Sequence, residues 1–559
     1  MISTIENENF KETHSVGILR ETISVWERRV ALTPTGCKRL IDEGMKIIVQ
    51  PSKIRCFSDD EYSEVGCEIK EDLSECKLIV GLQAPEVNSL LPQKTYIIFS
   101  HTKKGKTENQ ILLEKILEKK IRLFDYECIK EDLPDRSMAK RIVSFGRIAG
   151  VAGTINLLKA IGELLLARQV STPFVFTKLS YMYSDVANGE NSLKTLGRYL
   201  KEQYLPEEYS PFFIAVLGNG RVSKGVQEAL SYLPTKFITQ KELLNGNYEK
   251  RRDIIYVIVF EPKDIYIKIE NSSDSIQFEQ SDFIKSPETY TSIFESKYLK
   301  YFHAIINCLY WESRHPKILT KHQLKNHFVN HDSKLLAISD ISCDIDGGIE
   351  ILQRTTSFNK PYFIYEPVLE KEMQSVDNST KEAIVYIAIP NLAASFPIDA
   401  SEYFCNLLLP FIENLAKSKY PNNFEDQTDL CNELKYACIT SNGILTPIYR
   451  NIFRNTEEKN RVDAIVSNQE DKPFFISFKM KGRVFDSGFF NLLTNSISGA
   501  GIGHKINFLS IGDGADMPSI LYFDAFGKSK SDLNHFLNSV KEKMEEFKLE
   551  YNILKTNLY

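Results

Sequence analysis

His101 closes the apolar run "TYIIFSH", and Gln83 closes another, "KLIVGLQ". A polar side chain at the C-terminal end of a buried strand is delivered to whatever cleft opens there. A histidine at such a place can move a proton near neutral pH, whereas the Gln83 amide can only donate and accept hydrogen bonds. Alone, His101 reads more readily as a satisfied strand-end histidine than as a catalytic one. Glu27 and Arg29 in "WERRVALTP" sit just before a helix start. An arginine there can clamp a carboxylate with its two-pronged fork, or simply form a surface ion pair with its neighbour. In "VLGNGRVSKG", Gly218, Gly220 and Gly225 follow a strand and open a helix. That pattern lets backbone N–H groups approach a pyrophosphate at a helix N-terminus. Ser223 stands where the dinucleotide-binding fingerprint prefers glycine.

About twenty residues beyond the glycines, an NAD-binding chain carries Asp or Glu for the ribose hydroxyls. Here the stretch is "KFITQKEL": Thr239, Gln240 and Lys241 offer no carboxylate, and Glu242 comes late. That favours a 2′-phosphate and hence NADPH. His327 and His331 are four apart but have no carboxylate or thiolate pattern around them, so they read as surface residues.

The elements that must position these residues alternate. "SVGILRE", "KIIVQP", "CKLIVGL", "TYIIFSH" and "KIRLFDYE" are strands, and "TPTGCKRLIDEGM" is a helix opened by Thr33-Pro34. A long helical region from about Gly150 follows. A second unit begins at "PFFIAVLGNG" and continues through "DIIYVIVF", "HAIINCLYW", "LLAISDIS" and "AIVYIAIP". The fold class is therefore α/β: two Rossmann-like domains flanking a cleft, plus a small α+β C-terminal domain. The expected limits are 1–204, completed by a helix from about 396–455, then 205–395, then 464–559. "RNTEEKNRVD" is the linker before the last, and the polar "KIENSSDSIQFEQSD" is a loop.

Composition narrows the classes. With 559 residues, 43% hydrophobic and 26% charged, the chain is an ordinary multidomain globular protein. A net charge of -5 leaves no nucleic-acid footprint. The runs "IIYVIVF" and "AIVYIAIP" are strand-length, short of a membrane span. Ten cysteines without a CxxC pair suggest a reducing compartment. The acidic N-terminus lacks the pattern of a leader peptide, so the cytoplasm is the expected location.

Taken in order, "WERRVALTP", "LIVGLQAPE", "FSHTKK", "LFDYE", "RIVSFGRIAGVAG", "GNGRVSKG", "INCLYWE", "AISDISCDIDGGIE" and "NLAASFPIDASE" closely resemble lysine–2-oxoglutarate reductase, the saccharopine-forming part of bifunctional aminoadipic semialdehyde synthase. Lysine-forming saccharopine dehydrogenase and alanine dehydrogenase are more distantly similar. The tail "KMKGRVFDSGFFNLLTNSISGAG" resembles the region that joins the two halves of the plant-type enzyme. The resemblance, with the chain ending at Tyr559, implies a reductase without the glutamate-forming dehydrogenase half. It implies condensation of the lysine ε-amine with 2-oxoglutarate and reduction of the imine by NADPH to saccharopine. It makes His101 the general acid–base, Arg29 and Arg141 carboxylate-holding residues, and Glu27 and Glu127 residues that tune the site's charge. Gly218, Gly220, Ser223 and Gly225 would cradle the cofactor phosphates. Thr239 would lie beside the cofactor, and Asn307, Asp340 and Asp344 would fall on strand ends at its side. No metal, nucleic acid or membrane is implied, and homo-oligomerisation is left open.

Gln83 departs from the resemblance, because the matching stretch carries a lysine that works beside the histidine. Three readings follow: a weakened reductase, a reductase in which Lys103 or Lys104 reaches in, or a catalytically silent paralogue that binds lysine, 2-oxoglutarate or NADPH. A further alternative is the NAD-linked, lysine-forming saccharopine dehydrogenase.

Overall fold

The computed structural model describes residues 14–452, apart from 105–108, 135, 137–138, 270–277, 332, 377–379, 381, 422–423 and 451, together with four strands beyond residue 473. It divides into two compact units, Met1–Lys459 and Asn460–Tyr559.

Six strands come first in unit one: β1 (Ser15–Ile18), β2 (Lys46–Val49), β3 (Glu68–Ile69), β4 (Leu78–Gln83), β5 (Thr95–Phe99) and β6 (Arg122–Asp125). The next run is β7 (Phe212–Leu217), β8 (Thr235–Phe237) and β9 (Ile255–Phe260). A short antiparallel ribbon, β10 (Tyr266–Lys268) with β11 (Tyr290–Ser292), interrupts it. Then come β12 (Ala304–Asn307), β13 (Ala337–Asp340), β14 (Phe363–Glu366), β15 (Lys371–Met373) and β16 (Ile384–Ile387). The chain finally returns through β17 (Cys438–Ser441) and β18 (Ile444–Leu445). Two eight-stranded sheets result, ordered β18-β17-β6-β5-β4-β1-β2-β3 and β15-β14-β16-β13-β12-β7-β9-β8.

From β6 to β3 the first sheet is parallel, and β17 closes its edge antiparallel to β6. Parallel strands are covered on both faces, which is why "LIVGL" and "FFIAVL" read as unbroken apolar runs. All six residues of β7 are buried. Helix Pro34–Asp42 starts where the sequence placed it, with Pro34 in its first turn and the Thr33 side chain accepting from the Gly36 N–H.

Helix Gly146–Ala167 is apolar on nearly every side, because it lies inside the second core. Among the described residues it alone is long and apolar enough to cross a membrane by length and composition. It exceeds the strand-length runs that looked longest in the sequence, and 83% of its most apolar window is buried within the protein. With helix Val186–Gln203 it packs in the second core, so that core reaches well upstream of residue 205. Helix Pro397–Lys417 packs back into the first.

Unit two contributes a four-stranded antiparallel sheet of Phe474–Gly482, Gly503–Leu509, Ser519–Gly527 and Glu550–Thr556. The linker "RNTEEKNRVD" and the helix expected over "DLNHFLNSVKEKMEEF" lie outside the described residues.

Candidate active site

Asp125 ends β6 and is completely buried. The parallel register sets Ile98 against Asp125, so its carboxylate lies under the chain as it leaves β5. There it accepts from the N–H and hydroxyl of Ser100, from the His101 N–H at 3.0 Å and from the Glu127 N–H at 2.8 Å. Burial, then the charge of Glu127, push its carboxyl above the usual range. His101 takes φ 54°, a left-handed conformation that costs a non-glycine residue about 1 kcal/mol or more. Asp125 fastens that turn and aims the half-exposed ring outward.

The His101 Nδ1 stands 3.4 Å from Glu127 Oε2, and Arg141 donates to Glu127 Oε1 at 2.9 Å. Imidazole, carboxylate and guanidinium thus form one chain. A carboxylate in this position orients the ring through its Nδ1. The Arg141 side chain is 37% exposed, so its fork keeps donors open to a ligand.

Arg29 is differently placed. Its Nε and terminal nitrogen donate to both Glu27 oxygens at 2.8 and 2.6 Å, and both side chains are 2% exposed. The guanidinium lies 4.2 Å over the Phe145 ring. The surface ion pair weighed from the sequence is a buried one, and its fork is taken. Arg141, rather than Arg29, keeps part of its guanidinium exposed.

Gln83 is half-buried at the end of β4, and its side-chain amide makes no hydrogen bond among the described residues. Its backbone N–H donates at 3.0 Å to Glu21, which also accepts from Leu82 at 2.6 Å. Burial pushes Glu21 up to about 7, assisted by Glu27 and opposed by those N–H groups and Arg29. Sequence reasoning passed over Glu21, although it stands three residues past β1, which runs parallel to β4. Lys103 is exposed, and the Lys104 side chain lies outside the described residues.

The glycine loop follows β7. Gly218 has φ 102°, and a Cβ there would meet the Cys308 backbone at 3.2 Å, so glycine is required. Gly220 caps helix Arg221–Ser231 without a side-chain cap bond, and a Cβ there would meet nothing within 4 Å. The helix presents free N–H groups beside open space, which fits a pyrophosphate. Ser223 and Gly225 do other work. The Ser223 hydroxyl is fully buried and accepts from Gln227 at 2.9 Å. A Cβ on Gly225 would meet the Arg147 carbonyl at 2.0 Å, so this glycine lets the helix touch Gly146–Ala167.

Asn307 and Asp340 do end β12 and β13, but both are buried and bonded to each other at 2.9 Å. Tyr386 and Ser342 complete the Asp340 shell at 2.7 and 2.6 Å. They brace the chain where it leaves β12 and β13. Asp344 ends no strand; it lies in the loop four residues past β13. Thr239 caps a short helix together with Glu242. His327, read as a surface residue, is buried and pushed down to about 4 by desolvation, while His331 is exposed. No metal-holding cluster occurs among the described residues.

The two halves of the site meet through the segment 141–146. Arg221, first in the glycine-loop helix, donates to the Ile142 carbonyl at 2.6 Å, while Phe145 carries Arg29. From the other side Tyr310, beyond β12, has its phenol raised by burial and by Glu312, with further contributions from Glu127 and Asp344.

Residues 17–152 match the alanine dehydrogenase/PNT N-terminal domain. Over 546 residues the chain is 33% identical to the alpha-aminoadipic semialdehyde synthase of Arabidopsis thaliana, covering 94% of this chain and 50% of that protein. The mitochondrial alpha-aminoadipic semialdehyde synthase of Mus musculus is 32% identical over 82% of this chain and 49% of its own length. A saccharopine dehydrogenase (NAD(+), L-lysine-forming) of Emericella nidulans is 26% identical over 74% of this chain and 96% of its own. The chain spans about half the length of the semialdehyde synthases it matches.

Proposed function

We propose that this chain, which is similar to the alpha-aminoadipic semialdehyde synthases over about half of their length, catalyses the reductive condensation of lysine with 2-oxoglutarate to saccharopine. The observation that carries this reading is the chain His101–Glu127–Arg141, joined through residues 141–146 to the glycine loop. A nicotinamide dinucleotide, when bound, supplies the hydride. Gly218, Gly220 and the N–H groups of helix Arg221–Ser231 hold its pyrophosphate. Arg141 binds a carboxylate of the keto acid. His101, oriented by Glu127, relays the protons that leave the amine and that convert the carbinolamine hydroxyl to water.

Glu21, pushed up to about 7 and accepting from the Gln83 backbone N–H, is a second proton-holding group at the end of the neighbouring strand β4. This supports an active enzyme despite the missing amine at position 83. The silent-paralogue reading draws support from the same position, since Gln83 carries no titratable proton. Dinucleotide oxidation by the purified chain with lysine and 2-oxoglutarate, with saccharopine identified by mass, tests the proposal. Folded protein that binds dinucleotide and forms no saccharopine refutes it in favour of a sensor.

NADPH is the expectation from the sequence, because Thr239, Gln240 and Lys241 place no carboxylate directly after β8. Ten free cysteines support a reducing compartment, and we place the enzyme in the cytoplasm; fractionation of cells carrying the tagged chain tests this.

A further inference from the structure

The strand beside β7 is β9, and this changes which residue meets the adenosine ribose. β7 pairs with β9 in parallel from Phe212 against Ile255 to Leu217 against Phe260. The Gly218 N–H donates to the Phe260 carbonyl at 2.7 Å, so Glu261 lies level with the first glycine of the loop. β8 lies on the far side of β9. Two strand spacings set its end roughly 10 Å from β7. Thr239 is therefore outside the place where a dinucleotide fold recognises its ribose, and the strand neighbouring the glycine loop ends in a carboxylate.

That carboxylate is held in place. Asn219, between the two glycines, donates to one Glu261 oxygen at 2.9 Å, and Lys263 pairs with the other at 2.6 Å. Lys263, then Asn219, keep the carboxyl below its usual range, so it is ionised at neutral pH. The side chain is 37% exposed, at the surface where a ligand would arrive.

We propose that Glu261 receives the adenosine ribose diol and that the chain selects NADH over NADPH. The inference rests on the reading that a nicotinamide dinucleotide lies over Gly218–Gly220. A fixed carboxylate accepts from both hydroxyls of a free diol, whereas a 2′-phosphate brings a like charge against it. Lys263 is the group that would serve a 2′-phosphate instead, and here Glu261 engages it.

The test is direct titration of the full chain with NADH and with NADPH, without substrates, following nicotinamide fluorescence. Glu261→Gln and Lys263→Ala are titrated alongside. The wild type binds NADH about tenfold tighter or more, and Glu261→Gln removes about that factor, as expected for a charged hydrogen-bond acceptor. Lys263→Ala keeps or widens the preference. NADPH binding as tight as NADH in the wild type, a preference untouched by Glu261→Gln, or one abolished by Lys263→Ala each overturns the assignment. Folded wild type that binds neither dinucleotide overturns the underlying reading as well; binding without preference overturns this one alone.

Discussion

Glu21 is the residue on which pH should act most visibly. Its carboxyl is raised from 4.5 to about 7 by burial, so the folded protein holds that proton more tightly than the unfolded chain does. Its contribution to stability is therefore full below pH 4.5 and declines as pH rises to about 7. Denaturation followed across that range should show this slope, and Glu21→Gln should flatten it while other titrations persist. Gln83→Lys makes a linked prediction. An ammonium above Glu21 would pair with it and draw its pKa down. It would also restore a proton-transfer group, whose presence is typically worth about 10²–10⁴-fold in rate. Saccharopine formation should rise in Gln83→Lys, and the stability slope should move to lower pH. A rise in turnover with an unmoved slope would show that the new amine does not reach Glu21.

Helix Gly146–Ala167 against helix Arg221–Ser231 is the contact that ties the glycine loop to the rest of the molecule. Gly225 and Gly150 make it possible: Cβ atoms there would stand 2.0 Å from the Arg147 carbonyl and 2.1 Å from that of Val222. Gly225→Ala should cost about 1–3 kcal/mol through overpacking and weaken dinucleotide binding, because the helix carrying the N–H groups must move. Gly220→Ala separates the two effects. Its Cβ would point into open space, so the melting temperature should hold while dinucleotide affinity falls. Melting curves beside binding titrations check both.

The strands and this glycine loop were legible in the sequence because buried parallel strands are continuous apolar runs and strand–glycine–helix turns are local. Pairing order was not. Nothing local in "KFITQ" or "IIYVIVF" says that the later strand inserts beside β7, and so the acid met forty-odd residues past the loop, Glu261, escaped a search set at twenty. Asp125 and Glu21 escaped for the same reason. Each acts on a neighbouring strand's turn, and only the register reveals which turn that is. The buried Glu27–Arg29 pair looked like a surface pair because two residues of separation say nothing about what covers them.

At the scale of the whole chain, every residue assigned to the site, from Glu21 to Asp344, and both eight-stranded sheets lie in Met1–Lys459. The chain leaves the first sheet at β6, builds the second core, and returns through helix Pro397–Lys417 to add β17 and β18. The first sheet is therefore incomplete without residues beyond 437, although its site residues all precede 142. A fragment of residues 1–459 keeps that return path, and one ending at 395 removes a buried helix and two strands from the first core. The 1–459 fragment should fold cooperatively, bind dinucleotide as the full chain does and keep its turnover. The 1–395 fragment should fail to fold although it contains every named site residue. Circular dichroism melting, with dinucleotide titration of each fragment, decides the matter. Loss of binding in a well-folded 1–459 fragment would mean that the C-terminal unit contributes to the site. A folded, active 1–395 fragment would mean that the returning segment is dispensable to the sheet it completes.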